Sequence, residues 1–76
     1  PAARMSSIIA TRATVHEALE ALPDLYKVPV VLRDIEGHAY AAISQRLDRP
    51  EGTIKAQIAR GRAMVAAHLR DTGVAE

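Results

Sequence analysis

The chain has 76 residues, a formal net charge of +1, 49% hydrophobic residues and 25% charged residues, which allows one small globular domain. The absence of cysteine excludes disulfides, thiolate metal sites and cysteine nucleophiles, and the three histidines form no ligand cluster in the sequence. No catalytic pattern is present, and no apolar stretch approaches the roughly 20 residues of a membrane span. We therefore expect no enzyme, no cofactor, no metal and no membrane segment.

The charges are unevenly distributed along the chain. Between His16 and Glu36, five acidic residues stand against two basic ones, whereas the stretch from Thr53 to Arg70 holds four basic residues and no acidic one. A basic C-terminal segment beside an acidic half favours a directional electric field, with nucleic acid as a candidate partner. A solvated helix face explains the same charges and remains open at this point.

The first predicted helix covers about residues 11–22 and ends before Pro23, because the residue that precedes a proline is disfavoured in a helix. Its apolar residues recur at the spacing of one helical face: Val15, Ala18, Leu19 and Leu22. Residues 1–12 show weak periodicity, and we expect them to be a linker or tail.

The second predicted helix covers about Asp24 to Glu36, with Gly37 as its C-terminal cap. Its apolar spacing predicts one apolar face, formed by Leu25, Val28, Leu32 and Ile35. Pro29 lies inside this pattern and should bend the helix or delay its start, because proline lacks the backbone donor. The run VPVVL alone would also suit a strand, but the periodicity through Ile35 favours a helix.

The third and fourth predicted helices cover about Ala39 to Leu47 and Pro50 to Arg70, with a turn at Asp48 and Arg49 between them. Pro50 suits the first position of a helix. The fourth helix carries one narrow apolar stripe, formed by Ile54, Ile58, Gly61, Val65 and Leu69. The opposite arc is basic at its edges and small in its middle, which suits a helix that approaches another surface closely.

A short helix, a tight turn and a long basic helix form the plan of a helix-turn-helix. We therefore predict an all-α, four-helix domain over residues 13–72 with a C-terminal helix-turn-helix, flanked by a C-terminal tail at residues 73–76. In this motif the second helix enters the major groove of DNA, where cations contact phosphates and polar groups contact base edges. A helical bundle that binds a protein through the same face is the alternative.

The stretch from Ala18 to Leu69 resembles region 4 of the extracytoplasmic-function (ECF) sigma factors of bacterial RNA polymerase. The sharpest match is PEGTIKAQIARGR, from Pro50 to Arg62, against the family pattern P-x-G-T-V-K-S-R-L-x-R-[AG]-R. Further matching elements precede it at the expected distances: Leu22–Pro23, Val31–Arg33, Glu36–Gly37, Tyr40 and Ile43. A helix-turn-helix of the response-regulator output type, the nearest DNA-binding alternative, would lack the first two of these elements.

The resemblance implies a fold of the winged-helix-like, sigma region 4 type and a cytoplasmic protein that binds double-stranded DNA at the promoter −35 element. It also implies attachment to the flap of the RNA polymerase core, and an anti-sigma factor as a further partner. The chain is too short to include the region that opens the −10 element, so we expect it to be the C-terminal part of such a factor.

Position by position, the resemblance implies that Lys55 and Arg62 contact phosphates, that Ala56 and Arg60 lie near base edges, and that Thr53 lies near the DNA backbone. The full set of expected DNA-binding residues is Thr53, Lys55, Ala56, Gln57, Ala59, Arg60 and Arg62. Several positions depart from the family: Ala56 replaces serine, Gln57 replaces arginine, Ala59 replaces a larger residue, and Ala39 replaces a Ser or Thr cap. Fewer base-reading groups remain, so DNA shape is expected to carry more of the specificity.

Three further expectations concern packing. Tyr40 is expected to be a core aromatic with its hydroxyl at the edge, and Gly61 to permit close packing. Arg33 is expected to form a surface ion pair with Asp34 or Glu36, with contact to the flap of the polymerase as the alternative. The remaining apolar residues of the first two helices are expected to be buried in the domain's own core, with contact to a partner as the alternative: Val15, Leu19, Val28 and Val31.

Overall fold

The computed structural model of the chain describes residues 14–71. Within this range the fold is all-α: residues 14–20 form α1, and α2 (Asp24–Val30), α3 (Tyr40–Leu47) and α4 (Glu51–Asp71) follow it. A π-helical turn, Val31–Ile35, continues α2. This confirms the predicted fold class and helix order. The predicted linker at residues 1–12, the start of the first helix and the tail at residues 73–76 lie outside the described residues.

The second helix differs from its prediction after Val30, because the chain winds as a π-helix from Val31 to Ile35 rather than as an α-helix. A π-helix bonds residue i to i+5, so the spacing of residues along the helix changes after Val30. Of the residues predicted to share one apolar face, only Leu32 is buried, and Leu25, Val28 and Ile35 are 47%, 36% and 65% exposed. The residues of the predicted apolar face are therefore mostly exposed.

Pro29 lies buried in the interior of α2. The helix nevertheless begins at Asp24, so the proline does not delay its start. Proline has no N–H, and the carbonyl of Leu25, four residues earlier, therefore lacks its usual helical donor. Nη1 of Arg49 donates a hydrogen bond to this carbonyl over 3.3 Å. Arg49, which is distant in the sequence, thus supplies the hydrogen-bond donor that Pro29 lacks.

The hydrophobic core joins the π-helical turn, α3 and α4. Leu32, Ile43, Ile54 and Ile58 are at most 6% exposed and form one cluster, and Tyr40 packs against it. Full burial of a Leu or Ile side chain stabilises a fold by about 1.5–3 kcal/mol, so this cluster fixes the angle of α4 on α3. Tyr40 is partly buried, which confirms the expectation that its ring packs with the core.

The backbones of α2 and α4 approach closely at Gly61. A Cβ atom added there would lie 2.6 Å from Cγ2 of Val30 and 3.4 Å from Cβ of Tyr26. Gly61 is buried, as the stripe on α4 predicts. Glycine is therefore required here for packing, as expected from the sequence.

Two turns set the directions of the helices. Gly37 adopts a φ of +77° one residue beyond the end of the π-helical turn, after Glu36, which confirms its predicted capping role. The turn between α3 and α4 places Asp48 in the left-handed region with a φ of 54°. The N–H of Arg49 donates to the carbonyl of Ser44 over 3.1 Å, and Oγ of Ser44 donates to the carbonyl of Arg49 over 2.5 Å. These bonds close the turn that orients α4.

Candidate nucleic-acid interface

The surface of α4 that faces away from the core contains the expected DNA-binding residues. The buried stripe of Ile54, Ile58 and Gly61 holds one side of the helix against the rest of the domain, so the opposite arc is left to solvent. Gln57 is half-buried at the edge of this arc. The other expected residues are exposed: Thr53, Lys55, Ala56, Ala59, Arg60 and Arg62.

The exposed arc has a small centre and two polar flanks. At 3.6 residues per turn, Ala56 and Ala59 lie in its centre. One edge, here called the lysine flank, holds Lys55 and Arg62. The other edge, here called the glutamine flank, holds Thr53, Gln57 and Arg60. A helix with small residues between polar flanks can approach the floor of a groove closely, with its long side chains reaching to both walls.

On the lysine flank, Arg62 forms a bidentate ion pair with Asp34 of the π-helical turn. Nε of Arg62 donates to Oδ2 over 2.9 Å, and Nη2 donates to Oδ1 over 2.6 Å. The hydrogen bond from Arg62 lowers the pKa of Asp34 below its ordinary value of 3.8, and the same bond raises the pKa of Arg62. A guanidinium has five N–H donors, so Arg62 keeps donors for a further acceptor while it holds Asp34.

Lys55 has two neighbours on the same flank. Its Nζ lies 3.7 Å from Oε1 of Glu51, one turn earlier, and 5.4 Å from the centre of the Tyr40 ring. Both side chains of the ion pair are about half exposed, and such pairs contribute little to stability. Lys55 is therefore easily redirected to an anion.

Arg33 does not form the ion pair expected from the sequence. Its guanidinium stacks 4.4 Å from the centre of the Tyr40 ring, and Nη1 donates to the backbone carbonyl of His38 over 3.0 Å. The reason is the π-helical turn, which carries Asp34 toward Arg62 and leaves Arg33 beside α3. Glu36 instead contacts Nε2 of His38 over 3.1 Å.

On the glutamine flank, the side chains contact residues from outside α4. The guanidinium of Arg60 lies 5.8 Å from the centre of the Tyr26 ring, within the range of a cation–π contact. Oε1 of Gln57 accepts a hydrogen bond of 2.9 Å from Nη1 of Arg49. An open cleft of about 420 Å³ runs along this flank. It is lined by Leu25, Tyr26, Gly52, Thr53, Ala56, Gln57 and Arg60.

Two of these partners were missed by sequence reasoning. Arg49 contacts residues 24 and 8 positions away, and Asp34 contacts Arg62 across 28 positions, whereas helical periodicity relates residues only within a few turns. Only Pro29 pointed toward the contact of Arg49, because a proline inside a helix leaves the carbonyl four residues earlier without its helical donor. That signal does not say which side chain supplies the missing hydrogen.

A second, apolar groove lies between α1, α2 and α4. It has a volume of about 180 Å³ and is mostly apolar in its lining: Val15, Leu19, Val30, Asp34, Ile35, Arg62 and Val65. Val15, Leu19 and Val31 are half-buried and Val28 is 36% exposed. The expected burial in the domain's own core is therefore partial for Val15, Leu19 and Val31, and wrong for Val28.

Two negative findings apply to residues 14–71. None of the helices in this range combines the length and the hydropathy that crossing a membrane requires. The same range contains no group of three or more His, Asp or Glu side chains arranged to hold a metal ion.

Comparison with known proteins supplies the family. Residues 12–65 match the family described as Sigma-70, region 4. The chain is 36% identical over 58 residues, 76% of its length, to the ECF RNA polymerase sigma factor SigW of Bacillus subtilis. It is 39% identical over 57 residues, 75% of its length, to the ECF RNA polymerase sigma factor SigE of Mycolicibacterium smegmatis.

These alignments cover 31% of the Bacillus protein and 22% of the Mycolicibacterium protein. The chain thus spans less than a third of the length of the curated relatives it matches. The family match over residues 12–65 includes α3, the turn after it and the whole arc from Thr53 to Arg62. The chain belongs to the Sigma-70, region 4 family, as the region 4 domain of an ECF sigma factor.

Proposed function

We propose that the chain binds double-stranded promoter DNA at the −35 element, as part of an ECF sigma factor that directs RNA polymerase to initiate transcription. The observation that best supports this proposal is the exposed arc of α4, which has small residues at its centre and cations on its flanks. The buried stripe on the other side of α4 holds the helix in place. A recognition helix needs this combination, because base edges lie at the bottom of a groove whose walls are phosphates. Sigma-70 region 4 is a domain of transcription initiation factors and not of enzymes.

The proposed roles follow from the two flanks. Lys55 and the free donors of Arg62 contact phosphates on one wall of the groove, and Thr53 contacts the DNA backbone near the start of α4. Arg60 and Gln57 lie toward base edges, with Ala56 and Ala59 allowing close approach at the centre. Glu51 lies beside Lys55 and opposes phosphate at this end of the helix.

We further propose that the apolar groove between α1, α2 and α4 contacts the flap of the RNA polymerase core, and that an anti-sigma factor competes for the same surface. Ile35 lies at this groove and is 65% exposed. A large aliphatic side chain in this position loses contact with water when a partner covers it, which favours association. A protein with these partners acts in the bacterial cytoplasm.

One observation favours a second candidate, a helical protein-interaction domain. The cations of the arc contact groups of this chain: Arg62 contacts Asp34, Lys55 contacts Glu51, and Arg60 lies over Tyr26. Cations that are already paired within the chain need no phosphate to balance their charge. Binding to a protein through this face would show weak dependence on salt, whereas binding to DNA releases counterions.

A salt series of fluorescence anisotropy separates the two candidates. The 76-residue chain is titrated into a labelled duplex with a −35-type element and into a scrambled duplex of the same length. If Lys55 and Arg62 contact phosphates, log K falls with log salt with a slope of about −1.8, and the −35-type duplex binds more tightly. Absence of binding at low salt would overturn the DNA proposal, and the purified polymerase flap would then be the next bait.

A further inference from the structure

The carboxamide of Gln57 has a fixed orientation on the glutamine flank. Nη1 of Arg49 lies 2.9 Å from its Oε1. A guanidinium carries donors and no acceptor, so the end of the carboxamide that faces Arg49 is the oxygen. The end that points away from Arg49 is therefore Nε2, which carries two N–H donors and no acceptor.

Arg49 is itself held from several directions. The nitrogen that contacts Gln57 also donates to the carbonyl of Leu25, which Pro29 deprives of its helical donor. The backbone of Arg49 is bonded to Ser44 through both its N–H and its carbonyl. The side chain is half-buried between α2 and α4. Rotation of the guanidinium away from Gln57 would leave the carbonyl of Leu25 without this donor, so the orientation of the carboxamide is favoured before any ligand arrives.

Resting on the proposed function, we propose that Gln57 reads only hydrogen-bond acceptors in the major groove and that Arg49 is the positioning residue that imposes this choice. The acceptors there are N7 and O6 of guanine, O4 of thymine and N7 of adenine, and the donors are the exocyclic amino groups of adenine and cytosine. An unrestrained glutamine pairs with adenine through both N7 and the amino group. Arg49 occupies one of the two acceptor positions of Oε1 and lies at the oxygen end of the carboxamide, so a base edge that meets the Nε2 end is offered donors rather than that oxygen.

The surroundings of Gln57 leave room for a base edge. Gln57 lines the open cleft along the glutamine flank together with Ala56 and Arg60. The apolar wall of this cleft is Leu25, which is 47% exposed. A base edge that enters the cleft at this position would meet the Nε2 donors of Gln57 beside the apolar side chain of Leu25, with Oε1 turned toward Arg49.

The test begins with selection from a pool of duplexes whose central ten base pairs are random. The pool is selected with the wild-type chain and with Gln57→Ala. The base pair whose preference disappears in Gln57→Ala is the one that Gln57 reads. At this position, binding is then measured with duplexes that lack single groups: 7-deazapurines, which lack the N7 acceptor, and purine in place of adenine, which lacks the amino donor.

We expect removal of the acceptor to weaken wild-type binding about tenfold, as for loss of one base contact, and removal of the amino group to leave it unchanged. In Arg49→Met, which keeps an unbranched apolar side chain and loses the donor, removal of the adenine amino group should weaken binding about tenfold as well. Arg46→Met is the matched control, because Arg46 is an exposed arginine in the last turn of α3. It should behave as the wild type toward both modified bases.

If removal of the adenine amino group weakens binding by the wild-type chain but not by Gln57→Ala, the proposal is overturned. This result needs no Arg49 variant. If the wild type and Gln57→Ala select the same sequences from the pool, the proposal is also overturned, because Gln57 then reads no base. The failure of the proposed function has a different signature, since no duplex of the pool would then be enriched at low salt. Circular dichroism of Arg49→Met separates a changed preference from a loss of folding.

Discussion

Asp34 and Arg62 hold each other through two parallel hydrogen bonds, 2.9 Å from Nε to Oδ2 and 2.6 Å from Nη2 to Oδ1. The pair joins the π-helical turn to α4 at the edge of the proposed DNA surface. Its position gives it two roles, because it fixes the rotation of α4 and sets which donors of Arg62 point outward. An anion that approaches Arg62 meets a side chain whose direction is already set.

Replacing Asp34 with Asn should lower the free energy of unfolding by about 0.2–1 kcal/mol at pH 7, the usual range for an ion pair near the surface. Urea unfolding of the wild type, Asp34→Asn, Arg62→Met and the double variant measures the coupling between the two side chains. A coupling energy near zero would contradict the role of the pair in fixing α4. High salt should reduce the coupling, because the side chains are 34% and 50% exposed.

The pH dependence of stability follows from the lowered pKa of Asp34. In the unfolded chain this carboxyl titrates near its ordinary value of 3.8, and in the folded chain it titrates below that value. The unfolded state therefore takes up the proton first as the pH falls, and stability is lost through this window. The difference in stability between the wild type and Asp34→Asn should be constant above about pH 5 and should shrink below pH 3.8. A difference that grows on acidification would contradict this assignment.

Gly61→Ala should destabilise the domain by about 1–3 kcal/mol, as overpacking does in a tight core. The added Cβ would lie 2.6 Å from Cγ2 of Val30, and a valine in a helix has no alternative rotamer that avoids this contact cheaply. Gly52→Ala is the matched control, since nothing lies within 4 Å of its added Cβ and helix propensity then favours alanine. Thermal unfolding should show opposite shifts for the two variants, and equal shifts would contradict close packing at Gly61.

Much of this fold was predictable because its signals are local. Periodic apolar residues predicted the helices, Gly37 predicted a turn, and the stripe on α4 predicted which side is buried. The π-helical turn was not predictable, because an extra residue in one turn leaves no mark in a single sequence. In this turn Ile35 lies at the surface, and Asp34 pairs with Arg62 instead of Arg33. Leu25 and Val28 are exposed although they lie in α2, before the turn.

The residues of the candidate site could be predicted from the sequence, but the contacts of their side chains could not. The spacing of Lys55, Gln57 and Arg60 along one helix fixes the arc they share, whatever the rest of the domain does. Which neighbour each side chain contacts depends on how α2 and the turn after α3 pack against α4. The contact between Arg49 and Gln57 depends on this packing, so only three-dimensional structure reveals the orientation of the carboxamide.

Lys55→Ala should weaken binding to every duplex by a similar factor and lower the salt slope by about 1, because one fewer phosphate is neutralised. Glu51→Gln is the complementary variant. It removes the carboxylate that lies 3.7 Å from Nζ of Lys55 and should strengthen binding to all duplexes. Anisotropy titrations at several salt concentrations check both results, and an unchanged slope in Lys55→Ala would place Lys55 away from the DNA.

Ile35→Ser should reduce binding to the purified RNA polymerase core without a large loss of stability, because the side chain is already 65% exposed. Leu25→Ser is the control, since Leu25 is also exposed but lines the cleft on the DNA-facing flank. This variant should keep its affinity for the polymerase core. Surface plasmon resonance with immobilised core enzyme measures both, and equal losses in the two variants would contradict a docking site at the groove beside Ile35.

Arg60→Ala tests whether the glutamine flank reads bases. If Arg60 contacts a base edge, the variant should lose about 1–3 kcal/mol of binding to the preferred duplex and much less on a scrambled duplex. Arg70→Ala removes the same charge from the exposed last turn of the same helix, so it reports the effect of charge alone. An equal loss on both duplexes in Arg60→Ala would make Arg60 a phosphate contact. Specificity would then depend on Gln57 and on the shape of the DNA, because Ala56 and Ala59 offer no hydrogen-bonding side chain.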